Sequence, residues 1–548
     1  MSYIKSVLLP FILLLTINLS GQTLDKATEK TLEKGKQLYS EGKYSKAIEI
    51  LKPLADSGQK SAVRRVADSY RFLSDPINAE TYYNKVMLEK NPPSIYFLHY
   101  GWALLQNKKY ELAKEMFQKF TIASPDDKRG KEMLIACEKA KEMEQNIKNP
   151  NTKPDTNPNI INFFPNELPT IENINYNSEF DDFGAVIYQN GVVFSSSRSE
   201  GIQLLRKKDQ TTGASYLNIF YNEDTSKNEI DRIKGSINLL NFNSGPICFD
   251  SAQNKIYFTR NNVVPGEVGT SKKGEVLLKI FEAEKEGNAF KNSKELEFNG
   301  EEYSCAYPSI SQNGKRMYFT SDRSGGKGGK DLYMSELKKG KWSKPINLDI
   351  SINTSGNERF PFIHPDGTLY FSSDGWGGLG GLDLYKALPV PGDTTGTKFG
   401  NPINLGKAYN TSRDDFSFFA NENYTEGYFA SNREGGKGGD DIYHIIWPHN
   451  LLNLNFINGK DSSKIADFRF NLKSANPNCL SISNKSNLNG NSLIKANLNT
   501  DYKLESLDEK WAILNSSIKT GENGKINEFT IILLEQIVQK EELPIIKP

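Results

Sequence analysis

Histidine and cysteine are scarce in this chain, four of each among 548 residues, and the scarcity removes several kinds of chemistry. The cysteines, Cys137, Cys248, Cys305 and Cys479, form no C-x-x-C pair. A zinc knuckle and a thioredoxin-type redox motif are therefore both missing. Buried thiols are the expected state; a Cys248–Cys305 bridge is conceivable, because the two sit in comparable places of neighbouring repeats. The histidines, His99, His364, His444 and His449, give neither H-E-x-x-H nor H-x-x-x-H, so catalytic zinc lacks its ligands. The G-x-S-x-G elbow of serine hydrolases is also missing.

A surplus of charge is missing too. The 68 Lys and Arg residues face 67 Asp and Glu residues, which argues against a general nucleic-acid binder, since such a protein needs a basic surplus to displace counterions. Beyond the first residues no apolar run approaches the roughly 18 residues of a spanning helix. No integral membrane segment is expected in the mature chain. Residues 1–22 do carry an apolar run, Val7–Leu15, behind Lys5 and ahead of small and polar residues. This is the pattern of a secretory leader, and it predicts an exported protein, periplasmic or held peripherally at the outer membrane.

What is present divides the rest of the chain. Residues 23–145 show apolar positions at helical spacing with a repeat of about 34 residues. Gly35, Leu38, Gly42, Tyr44, Ala47 and Leu51 form one set, and Tyr70, Ala79 and Tyr83 a second. Gly101, Leu104, Tyr110, Ala113, Phe117 and Pro125 form the third, while Ser74-Asp75-Pro76 breaks the pattern where a turn glycine is expected. These sets resemble tetratricopeptide (TPR) repeats, which implies an α-solenoid with a concave binding surface. Residues 146–164 are dense in proline and asparagine and read as a linker.

Residues 165–447 repeat a different unit. SDRSGGKGGKDLY (Ser321–Tyr333) returns as SSDGWGGLGGLDLY (Ser372–Tyr385) and as ASNREGGKGGDDIY (Ala430–Tyr443), each between strand-like runs. A second string marks the passage between units, at Pro169–Val186, Pro345–Phe362 and Pro402–Phe419, with weaker copies at Ile237–Phe249 and Leu296–Ile310. Five junctions predict a five-bladed β-propeller with inner strands starting near Phe183, Pro246, Ala306, Phe360 and Phe416. The first junction precedes any completed unit, so its outer strand is expected to complete the last blade and close the ring. Asp322, Asp331, Asp374, Asp383, Asn432 and Asp441 are placed to bond loop amides. A phosphate cradle would need such a loop to open a helix, whereas this one joins strands. The recurring pairs Asp181-Asp182 and Asp414-Asp415 read as structural rather than as glycosidase carboxylates.

The glycine-rich hairpins resemble the WD40-like repeats of TolB-type propellers. Helical repeats followed by such a propeller resemble periplasmic envelope proteins of Bacteroidota, including PorE-like components linked to type IX secretion and gliding. The chain departs from that pattern at Gln22, where the lipid-bearing cysteine would stand, and in carrying no signature of an OmpA-like domain. Peptidoglycan anchoring is accordingly not expected. Residues 448–548 alternate strands and turns and resemble a degenerate carboxypeptidase-regulatory-like β-sandwich.

The fold class expected is thus multidomain: an α-solenoid, a five-bladed propeller and a small β-sandwich. The function expected is a non-enzymatic scaffold in a cell-envelope machine, with envelope or secretion-system proteins as partners and no cofactor or metal. The alternative is a recognition module whose central funnel binds a glycan or peptide. No residue is singled out as catalytic, cofactor-binding or metal-ligating, and the binding residues stay unassigned.

Overall fold

The structure is a computed structural model that describes residues 26–148, 169–198, 208–209, 211–239, 241–264, 267–422, 424–474, 482–497, 500–520 and 526–536. The expected leader, residues 149–164 of the linker and Cys479 lie outside these residues.

Seven helices open the described chain: α1 (Lys26–Ser40), α2 (Tyr44–Asp56), α3 (Lys60–Phe72), α4 (Pro76–Met87), α5 (Ile95–Gln106), α6 (Tyr110–Ala123) and α7 (Lys128–Lys148). The first six pack as three hairpins, α1 with α2, α3 with α4 and α5 with α6, and α7 covers the last. The repeat residues explain how closely they pack. A Cβ on Gly35 would lie 2.2 Å from the Leu51 side chain, and one on Gly101 would lie 2.5 Å from Phe117. Ala47, Ala79 and Ala113 are fully buried on the partner helices. The irregular middle turn has a local solution. Ser74 takes the left-handed conformation (φ 53°) that Gly42 (φ 72°) and Lys108 (φ 59°) take in the other two turns, and it ends α3 as glycine would. Asp75 then caps α4 by accepting from the Asn78 amide at 3.0 Å.

Five sheets follow, antiparallel except where Lys234–Gly235 pairs in parallel with Ala289–Glu295 in the second, with first strands at Asp182–Tyr188, Ser244–Phe249, Cys305–Ile310, Glu358–Ile363 and Asp415–Ala420. Each begins within two residues of the place the junction strings predict. These five strands pack side by side in a closed circuit, each against the next and the fifth against the first. The fifth sheet is completed by Thr170–Asn173 from the start of the region, which pairs with Asp441–Ile446. The ring is therefore closed by strands from both of its ends, as the first junction string requires.

Every first strand carries a bulge in its pairing with the second, and a residue of positive φ sits in each: Gly184, Gly245, Tyr307, Phe360 and Ser417. A bulge adds one residue and re-aims the side chains around it. Here it brings Phe183, Tyr307, Phe360 and Phe416 together on the ring axis. Tyr307 stacks on Phe360 with ring centroids 3.9 Å apart, and Phe360 and Phe416 are 4.8 Å apart.

After the ring come two four-stranded sheets that enclose one core of Leu452, Leu454, Phe456, Phe470, Leu504 and Leu533, among others. Ile526–Glu535 pairs in parallel with His449–Asn458. Gly459 follows directly after His449–Asn458.

The helices rest on the ring. The Ser45 amide donates to Thr211 O at 2.9 Å, and Ser355 Oγ donates to the Glu132 carboxylate at 2.8 Å. Leu379, from the glycine-rich loop of the fourth sheet, is buried in the core formed by α5, α6 and α7. These contacts all use loops at the end of the ring where the first strands begin.

Candidate binding funnel

Two elements of the ring were invisible as such in the sequence, and both are needed to hold the site. One is an asparagine in each junction. The side chain of Asn353 accepts from Leu332 N at 2.8 Å and donates to Leu332 O at 3.0 Å, so it pairs with the third strand as a backbone amide would. Asn238, Asn299 and Asn410 do the same to Ile219, Ile280 and Leu384. Asn177 does it to Ile442, across the seam of the ring. The repeated N of the junction strings was the available signal.

The second element is a donor to the carbonyl just before that asparagine. In four sheets it is a guanidinium: Arg198 to Tyr176 O, Arg260 to Ile237 O, Arg323 to Phe298 O and Arg433 to Tyr409 O. In the fourth sheet the indole N–H of Trp376 donates to Ile352 O at 2.7 Å instead, and the position matching Arg198, Arg323 and Arg433 is Gly375. Arg198 and Arg433 also pair with the buried carboxylates Asp182 and Asp415 at 2.7 and 2.6 Å. Glu358 holds the equivalent place in the fourth sheet without such a partner. It accepts from Thr354 N, Thr354 Oγ1 and Ser373 Oγ. Burial pushes its pKa up to about 7, against those hydrogen bonds.

The loop residues read from the sequence lie where that reading puts them. Asp331, Asp383 and Asp441 each accept from two amides of their own glycine-rich loop. Asp322, Asp374 and Asn432 accept from the amides of Ser304, Asn357 and Asp414, which tie the second strand to the start of the first. Cys137, Cys248 and Cys305 are free thiols, and burial pushes the Cys305 thiol up to about 11. The four histidines lie on separate elements. His99 faces the Asp68 carboxylate at 3.1 Å, and His364 spans Asp366 Oδ1 and Asn421 O. His444 stacks on Tyr428, and His449 lies 2.9 Å from Trp447 O.

At the end of the ring away from the helices the five first strands line a funnel of about 340 Å³. Tyr307 and Phe360 of the aromatic cluster line it together with Pro246 and Pro361, and its walls carry Ile187, Phe249, Ile310, Ile363 and Phe419. The charged side chains of its lining are both acidic, Asp250 and Glu422. Gln312 donates to Glu422 at 3.2 Å, linking the third and fifth sheets at the mouth. A basin whose lining is mostly apolar is suited to an apolar segment of a partner.

No protein-family model matches the chain, and no curated protein matches it. Solved structures do. TolB from Acinetobacter baumannii shares 13% identity over 47% of this chain and 51% of its own, with a TM-score of 0.26. This chain thus spans about half the length of that one. A GH43_1 enzyme from Xanthomonas citri, solved with xylotriose, shares 8% identity over 50% of this chain and 89% of its own, with a TM-score of 0.29. A puromycin-hydrolysing peptidase of Mycobacterium tuberculosis shares 12% identity over 46% and 33%, with a TM-score of 0.27. The presence of enzymes among these neighbours corrects one expectation. The missing motifs led to the reading that the chain is not an enzyme, yet this kind of β-region also occurs in hydrolases, so the architecture gives no ground for excluding catalysis. At such low similarity it assigns no activity either.

Proposed function

We propose that the chain is a TPR-type helical array joined to a five-bladed, WD40-like propeller and a carboxypeptidase-regulatory-like sandwich. In this reading it is an exported protein-interaction module of the cell envelope, and the funnel is where a partner docks. The observation that carries the reading is the division of the ring's two ends. One is covered by the chain's own helices, while the other opens into the apolar funnel. The resemblance of the repeats directs the search for the partner to components of type IX secretion or gliding. A glycan would need side-chain hydrogen-bond partners deep in the funnel, where the walls are mostly apolar, so a protein segment suits it better. No described helix is long and apolar enough to cross a membrane.

A photo-crosslinking amino acid at Phe249 or Gln312 tests this in intact cells. The expected result is a discrete crosslink to one envelope protein, lost when Ile310 is changed to Asp. Crosslinks from the convex helical surface but none from either funnel position would overturn the reading.

A further inference from the structure

A second cavity, of about 200 Å³, lies between the helices and the ring. Its helical wall is made by Arg71 of α3, Leu98, His99 and Trp102 of α5, and Arg129 and Met133 of α7. Glu132 of α7 completes that wall, and Gly329 of the third sheet with the loops around Gly356 and Gly375 of the fourth form the other. This is the sheet in which Gly375 replaces the guanidinium of three of its neighbours. The replacement is forced locally, since a Cβ there would meet Thr354 Oγ1 at 1.8 Å.

The polar groups of the cavity are unevenly used. Both oxygens of Asp374 are taken by Asn357, at 2.6 and 2.8 Å, and Glu132 accepts from Ser355. The cationic donors are largely unspent. Arg71 donates from Nε to Tyr83 Oη at 3.1 Å, and its terminal amino groups make no hydrogen bond among the described residues. Arg129 binds Asp127 through Nε and Nη2, leaving Nη1. The Trp102 indole N–H likewise has no hydrogen-bond partner among the described residues. Asp68, the carboxylate nearest Arg71 at 4.0 Å, is already approached by His99, Tyr39, Tyr83 and Tyr96. Two guanidiniums with free donors, beside an indole, Leu98 and Met133, match an oxyanion attached to a small apolar body.

We propose that this cavity binds a small anionic organic ligand, a carboxylate or a phosphate, clamped between Arg71 and Arg129 with its body against Trp102. Because the walls come from both the helices and the ring, the bound ligand fastens the two together. This site is separate from the funnel and does not depend on what docks there.

The test titrates the full chain with inorganic phosphate, benzoate and phenyl phosphate by calorimetry, while the Trp102 indole resonance is followed by NMR. Saturable binding of at least one probe is expected, with a shift of the Trp102 signal; the preferred probe tells a carboxylate ligand from a phosphate one. Arg129→Gln, at the more exposed of the two arginines, should weaken that binding by roughly tenfold, and Trp102→Phe should weaken the aromatic probes more than phosphate. Absence of saturable binding by all three, or unchanged affinity in Arg129→Gln and Arg71→Gln variants that keep the native circular dichroism, would overturn the proposal.

Discussion

Replacing Glu358 by Gln should make the ring more stable at alkaline pH and leave it little changed at acid pH. Glu358 is fully buried and sits in the one sheet whose arginine is absent. Its folded pKa of about 7 lies above the value of about 4.3 in an unfolded chain. The folded state therefore binds more protons between those two values, and stability falls as pH rises through that window. Well above pH 7 the full penalty applies; the shift corresponds to about 3–4 kcal/mol. Glutamine reproduces the protonated acid. Its oxygen can accept from Thr354 N, while its NH2 group faces Thr354 Oγ1 and Ser373 Oγ, which also accept from the Gly356 and Gly375 amides. The measurement is urea unfolding of both proteins at about pH 5 and about pH 8, with a probe that reports the ring. The stability difference between variant and wild type should move in favour of Gln by ~2–3 kcal/mol from the lower to the higher pH. A difference that does not change with pH would refute the reasoning, because it would mean that Glu358 does not change protonation in the window.

Other consequences can be checked on the same protein. Asn410→Ala removes the bonds to both backbone groups of Leu384 in a site with 1% exposure; it should cost ~2–4 kcal/mol in urea unfolding, the penalty of stranding a buried N–H and C=O. Gly101→Ala places a methyl group 2.5 Å from the Phe117 ring and should destabilise the helical segment by about 1–3 kcal/mol, read as earlier loss of helical circular dichroism. Cys305 has no exposed surface and its thiol is held up at about 11, so its alkylation at neutral pH should wait for unfolding; rapid labelling of Cys305 itself in the native chain would contradict its placement.

The repeated strings made the ring legible because they report backbone demands. Asp331, Asp383 and Asp441 hold tight glycine-rich loops, and that geometry needs the same residues each time. The bulges were not legible, since Gly184, Gly245, Tyr307, Phe360 and Ser417 share a conformation but no side-chain type. What they share is imposed by the closure of the ring, a property of tertiary structure. The asparagine clamps fell between these cases: the letter recurs, but its partner lies on a strand of the preceding sheet, and no spacing within one repeat points to it.

The docking of the helices on the ring lay beyond the sequence for a related reason. Helical repeats predict a concave surface, and by themselves they say nothing of what fills it. Here the helical segment meets the ring itself, as Leu379 in the α5–α7 core and the Glu132–Ser355 bond show. A partner seeking the same face of the ring would have to displace those contacts, including a buried leucine, which costs ~1.5–3 kcal/mol on its own. The funnel carries no such penalty. Competition therefore favours the open end of the ring, and mutations there should change partner binding without changing how the helices sit.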